Sequence, residues 1–180
     1  ARPSVLPEEL HNNSWVATKS LEFLKRRDRT RPFFLNMSFH RPHAPLDPPQ
    51  VYFDIYRDHP LPPVPVGNWA GIHDFPVDDL DAWHGRLPDD LLAQARRAYY
   101  AQIAHIDSQI GRVLRTISLK KHGPTVVLIT ADHGEMLGDH HMYRKTFAYE
   151  GSARVPMLLS VPNGKRGQVC DTPVALEDVY

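Results

Sequence analysis

The chain has 180 residues, 42% hydrophobic and 23% charged, the composition of one globular domain or a large part of one and not of a disordered tail. Lys and Arg total 21, as do Asp and Glu, so no overall field draws the chain to nucleic acid or to an anionic membrane, and any anion site is local. The longest apolar run, near Val126–Thr130, is far short of the ~20 residues of a membrane span, and the single cysteine, Cys170, excludes an internal disulfide framework and a Cys-rich zinc site and reads as a small apolar filler.

Taken in chain order, residues Ala1–Leu10 lack the basic, apolar and small-residue sections of a signal peptide. Asn12 to about Arg27 is a predicted helix, with Asn12, Asn13 or Ser14 as its cap and Ala17, Leu21 and Leu24 on one face. Its basic end, Lys25-Arg26-Arg27, suits the negative pole of the helix. Phe33–Phe39 is short, apolar and aromatic enough for a buried strand, and it runs into His40-Arg41-Pro42-His43. Ala44–Leu87 holds many prolines and no sustained period, but its interleaved Tyr, Phe and Trp residues favour a packed excursion that forms one wall of a pocket. From Leu92 to Ile117, apolar residues recur at spacings of three and four, predicting a long amphipathic helix over Asp89–Ser118. Thr125–Thr130 and Val155–Val161 carry the all-apolar signature of strands buried on both faces. That order of elements predicts an α/β fold, a mostly parallel sheet flanked by helices. Both ends are expected to be cut, making residues 1–180 part of a single catalytic domain truncated on each side.

Asp132-His133-Gly134 follows directly on the predicted strand ending at Thr130. In open α/β sheets ligands bind beyond the carboxyl ends of strands, and a carboxylate beside a neutral imidazole is a donor pair compatible with Ca²⁺, Mn²⁺ or Zn²⁺. Two ligands do not complete a shell, and Asp-His-Gly alone is equally well a helix cap with a backbone-bonded imidazole. Lys145 follows within the same stretch, a cation suited to holding an anion such as sulfate or phosphate. Upstream, His40-Arg41-Pro42-His43-Ala44-Pro45 ends another predicted strand, and His43 is the candidate proton donor or anion contact.

Asp132-His133-Gly134, Leu137-Gly138, His140, Lys145 and the upstream His40-x-Pro-His43 together resemble the sulfatase family of the alkaline-phosphatase superfamily, especially its iduronate-2-sulfatase-like and bacterial members. The likeness runs from about Pro32 to the C-terminus, through Ala98-Tyr99-Tyr100-Ala101-Gln102-Ile103. It implies an alkaline-phosphatase-like fold, incomplete here, and a divalent cation, usually Ca²⁺, on Asp132 and His133. Lys145 and His43 match the residues that hold the sulfate and assist the departing oxygen, while His40, Asp139, His140 and His141 are supporting residues and Glu150 and Arg154 a buried pair. The family nucleophile is a formylglycine made within Cys/Ser-x-Pro-x-Arg, and no such motif occurs in this sequence. Cys170 lacks Pro and Arg at the required offsets, so the formylglycine and the paired aspartates of the metal shell are expected in a missing N-terminal part, and this chain alone is expected to be inactive. The resemblance implies a small-molecule or saccharide sulfate ester as substrate and a periplasmic, secreted or lysosomal setting; no nucleic-acid or membrane partner is expected from the balanced charge and short apolar runs. A phosphodiesterase or phosphonate monoester hydrolase of the same superfamily is the alternative enzyme, and a non-catalytic domain of that fold the alternative class.

Overall fold

The computed structural model describes residues 1–77, 82–119 and 122–179. The part of the predicted excursion at 78–81, and Tyr180 at the chain's end, lie outside the described residues.

Three helices form one layer: α1 (Asn12–Arg26), α2 (Gln50–Tyr56) and α3 (Asp89–Leu119). The periodic run that predicted α3 forms one unbroken helix, opening on Asp89 and Asp90 at its positive pole. α1 is capped by His11, whose Nδ1 accepts from the Asn13 amide at 3.4 Å, and not by the asparagines or serine expected for that role. Asn13 and Ser14 instead turn inward toward α3, where their side chains meet the two ring nitrogens of His105 at 3.5 and 3.3 Å. α2 lies inside the proline-rich excursion. Pro48 and Pro49 precede it, and a proline just before a helix sets φ without sacrificing an amide the helix needs.

Both α1 and α2 pack on α3. Ala17, Leu24 and Val113 are buried at the α1–α3 seam, with Leu21, Phe33, Leu35, Met37 and Ile117 against them. Of these, fully burying a leucine or valine such as Leu24 or Val113 contributes about 1.5–3 kcal/mol. Phe33, Leu35 and Met37 alternate with exposed Phe34, Asn36 and Ser38, the period of extended chain lying with one face on the helices. Phe33–Phe39 nevertheless forms no ladder among the described residues, so the expected strand is extended backbone without a sheet partner here.

The sheet consists of β1 (Val127–Thr130) and β2 (Met157–Ser160), paired antiparallel with Thr130 opposite Met157 and Val127 opposite Ser160. These two strands were expected to run parallel. A run of apolar residues carries no information about direction, and the burial on both faces expected of these strands is not found either: β1 is half-buried up to exposed Thr130, and β2 is exposed from Leu158 to Ser160 because nothing among the described residues covers it. The chain from Thr130 turns through the site loop and comes back without a crossover helix, so it returns antiparallel. A short helix, α4 (Glu150–Ala153), makes that return.

Candidate functional site

Asp132 and His133 leave the carboxyl end of β1. The Asp132 carboxylate is 89% exposed and accepts from the His133 amide at 3.1 Å. His133 donates Nδ1–H to its neighbour, the Gly134 carbonyl, at 2.8 Å, which leaves the Nε2 lone pair open. That Nε2 lies 3.9 Å from Asp132 Oδ2, a spacing at which both atoms can reach one cation at ordinary Ca²⁺–oxygen and metal–nitrogen lengths. The pair thus fits a divalent cation in chemistry and tautomer. It supplies two donors, and no group of three or more His, Cys, Asp or Glu placed to hold a metal exists among the described residues.

Backbone bonds hold the start of this loop, with Met136 and Met142 buried beneath it. The Gly134 amide donates to the Ser152 carbonyl and the Glu135 amide to the Gly151 carbonyl, both at 2.7 Å. A methyl group on Gly134 would sit 2.2 Å from the Gly151 oxygen, so only glycine admits this approach. Glu135 folds the rest of the loop, its Oε1 accepting from the amides of Leu137 and Arg144, while the Met136 amide donates to the Arg144 carbonyl at 2.8 Å. Leu137, His140, His141 and Arg144 within this fold all have φ between 49 and 65°.

Lys145 is thereby delivered beside His43, with Nζ donating to His43 Nε2 at 2.8 Å. His43 donates Nδ1–H to the Ala44 carbonyl at 3.0 Å, and its ring stands edge-on to His133 with centroids 6.0 Å apart. The structure therefore joins His43, Lys145, His133 and Asp132 in one run of contacts, although His43 and Lys145 are separated by 102 positions.

The supporting residues behave differently from one another. His40 lies against His43, ring centroids 5.1 Å apart. His140 accepts from the Gly67 amide at 2.9 Å and packs on Trp69, and its own amide donates to the Pro65 carbonyl at 2.9 Å. The His141 carbonyl accepts from Gly85, and the Tyr143 amide donates to the Trp83 carbonyl. The excursion is thus stitched to the site loop. Burial holds the Asp139 carboxyl above the usual carboxylate range. Glu150 and Arg154 do pair, at 3.3 Å, but their side chains are 83% and 81% exposed; helix spacing brings them together on the outer face of α4, so they are a surface pair and not a buried one. Cys170 is exposed, not the apolar filler expected, because it lies on the open C-terminal segment.

A cavity of 390 Å³ borders Asp132 and is lined also by Arg154, Met157 and Leu176. A larger one of 630 Å³, between Pro76–Val77 and Arg86–Asp89, touches none of the four site residues.

Sequence reasoning missed the residues that hold the His43 loop. Arg41 spans its base to Asp47, with Nε to Oδ1 at 2.9 Å and Nη2 to Oδ2 at 3.2 Å, and Gln102 of α3 reaches both sides of it. A signal was present: Gln102, His105 and Gln109 occupy the same buried stripe of α3 as Ala98, Ala101 and Val113.

Comparison with known proteins places the chain in a family. The family model described as Sulfatase matches residues 11–180. An arylsulfatase of Clostridium perfringens is 45% identical over 188 aligned residues, covering 99% of this chain and 39% of that protein. The iduronate 2-sulfatase of Mus musculus is 28% identical over 172 residues, covering 87% of this chain and 30% of that protein. Among solved structures, the phosphonate monoester hydrolase of Agrobacterium radiobacter superposes with a TM-score of 0.73 at 25% identity, covering 87% of this chain and 34% of that one. The chain spans less than half the length of each of these relatives.

Proposed function

This chain belongs to the sulfatase family, with the α/β fold of the alkaline-phosphatase type, and from that premise we propose that it forms the cation- and sulfate-binding portion of an enzyme that hydrolyses a sulfate ester. The observation that carries the reading is the 2.8 Å contact between Lys145 Nζ and His43 Nε2, set beside the Asp132–His133 pair.

The chemistry asks for positive charge where sulfate oxygens bind and for a proton where the alcohol departs. Lys145 supplies a fixed charge. Because Nδ1–H of His43 is engaged by the Ala44 carbonyl, Nε2 is the atom that faces the lysine. A proton held between Nζ and Nε2 passes to the ester oxygen as its bond to sulfur breaks, so the product leaves as a neutral alcohol. A divalent cation, Ca²⁺ in this reading, would be held by Asp132 Oδ2 and His133 Nε2 and would neutralise charge on the sulfate oxygens. The nucleophile, a formylglycine, belongs to a part of the enzyme outside this sequence, as do the remaining oxygen ligands. The chain by itself therefore binds Ca²⁺ weakly, since two donors do not offset the dehydration of a hard cation. Calorimetric titration checks this, and tight binding abolished by Asp132→Ala would show that the shell is already complete.

The substrate is a small-molecule or saccharide sulfate ester. An aryl sulfate is the first to try, because the relative at 45% identity is named an arylsulfatase. The Agrobacterium neighbour supports a second reading, hydrolysis of phosphonate monoesters. Assaying the complete enzyme against 4-nitrophenyl sulfate and a phenyl phosphonate monoester separates them. Turnover of the sulfate at least tenfold faster in kcat/KM upholds the sulfatase reading, and the reverse ratio overturns it.

A further inference from the structure

We infer that Arg41, Asp47 and Gln102 form a clamp that positions His43, an inference that rests on the reading of His43 as proton donor. Residues 42–46 belong to no helix or strand, yet they carry the imidazole that must meet Lys145. Catalytic geometry tolerates errors well below an ångström, so such a loop needs fixing from outside itself.

The base of the loop is closed by the fork of Arg41 on the Asp47 carboxylate, a bidentate pair that sets both distance and plane. The Arg41 side chain is only 11% exposed, which limits water as a competitor. Gln102 then ties the closed loop to α3. Its Nε2 donates to the Pro45 carbonyl at 2.9 Å and to Asp47 Oδ1 at 3.3 Å, reaching the loop on the far side of His43 and at its base together. The outgoing chain is held as well, with the Arg2 amide donating to the Leu46 carbonyl at 3.2 Å and Ser4 to Pro48 at 2.8 Å.

The Gln102 side chain shows what this anchorage is for. It is fully buried, and its Oε1 has no hydrogen-bond partner among the described residues. A leucine at such a position would remove that bare oxygen, which opposes folding, and so offset the loss of the two Nε2 hydrogen bonds. The NH₂ group is retained because it holds the loop.

Two variants of the complete enzyme, Gln102→Leu and Asp47→Asn, test this against 4-nitrophenyl sulfate. Gln102→Leu is expected to lower kcat about 10- to 100-fold with KM within about threefold, while the melting temperature stays level or rises. A residue with a purely structural part would show the opposite, a lowered melting temperature with unchanged kcat. Asp47→Asn is expected to lower kcat in the same range. In a His43→Ala background, Gln102→Leu is expected to cost nothing further, because a clamp acting through His43 has nothing left to position. An unchanged kcat in Gln102→Leu, or an equal further loss without His43, overturns the clamp while leaving the sulfatase reading intact. A wild-type enzyme inactive on the sulfate ester, or a fully active His43→Ala, removes that reading and the clamp with it.

Discussion

The helical layer and the site loop are held together by opposite means. Along the α1–α3 seam, side chains do the work: Ala17, Leu24 and Val113 interlock, and His105 is enclosed by Asn13, Ser14 and Glu8. From Asp132 to Ala153 the backbone does much of it, through amide-to-carbonyl bonds at Gly134, Glu135 and Met136 with Met136 and Met142 buried beneath, while Asp132 and Lys145 stay exposed. The difference teaches that residues facing a ligand can stay free of structural duty when the main chain beneath them is already fixed.

If that division is real, changes in the two regions separate activity from stability. The largest effect is expected from Lys145→Ala in the complete enzyme, a loss of about 10²- to 10⁴-fold in kcat with melting temperature within a degree or two, read by steady-state kinetics and calorimetry. Unfolding on that change would mean that the site side chains also carry the fold. Next, Leu24→Ala at the seam is expected to destabilise by about 2–5 kcal/mol, measured by denaturant unfolding, with little change in kcat for the molecules that remain folded.

A pH titration sharpens the same contrast. Burial, aided by the charges of His11 and Arg112, lowers the His105 pKa from 6.5 to about 4. Above pH 6.5 both folded and unfolded chains carry this imidazole neutral. Below it the unfolded chain takes up a proton that the folded chain refuses until about pH 4, so stability falls with falling pH across that window, by on the order of 3 kcal/mol. Burial lowers His11 too, and adds in the same direction. His105→Gln is expected to flatten the slope of unfolding free energy between pH 6.5 and 4; an unaltered slope would assign the acid sensitivity to other groups. The smallest effect belongs to the Glu150–Arg154 surface pair, where Arg154→Ala is expected to change stability by less than about 0.5 kcal/mol.

The sequence made α3 legible almost to the residue, because a 3.6-residue period sustained over many turns has no competing explanation. α2 escaped because seven residues between prolines give too short a period to register. Strand direction escaped because apolar runs carry no information about it, and the burial they suggested is absent at Leu158 and Leu159, which are exposed. For the site, placement beyond strand ends pointed to Asp132, His133 and His43, the nearby cation to Lys145, and the family likeness agreed on all four. Arg41 and Asp47 were missed because each in isolation looks like an ordinary surface residue, and Gln102, although it sits on the buried stripe of α3, because its relation to Asp47 crosses 55 positions of chain.

The left-handed residues of the site loop bear on how such an enzyme could be made hardier. Leu137, His140, His141 and Arg144 each adopt a φ that a side chain disfavours, at roughly 1–2 kcal/mol per residue in the fully left-handed state. The loop is thus a reservoir of torsional strain lying directly upstream of Lys145. Asparagine visits this conformation about as readily as histidine and more readily than leucine, so the natural place for it is Leu137. Heat tolerance gained at that position would come from relaxing the main chain, without adding a single contact to the folded protein.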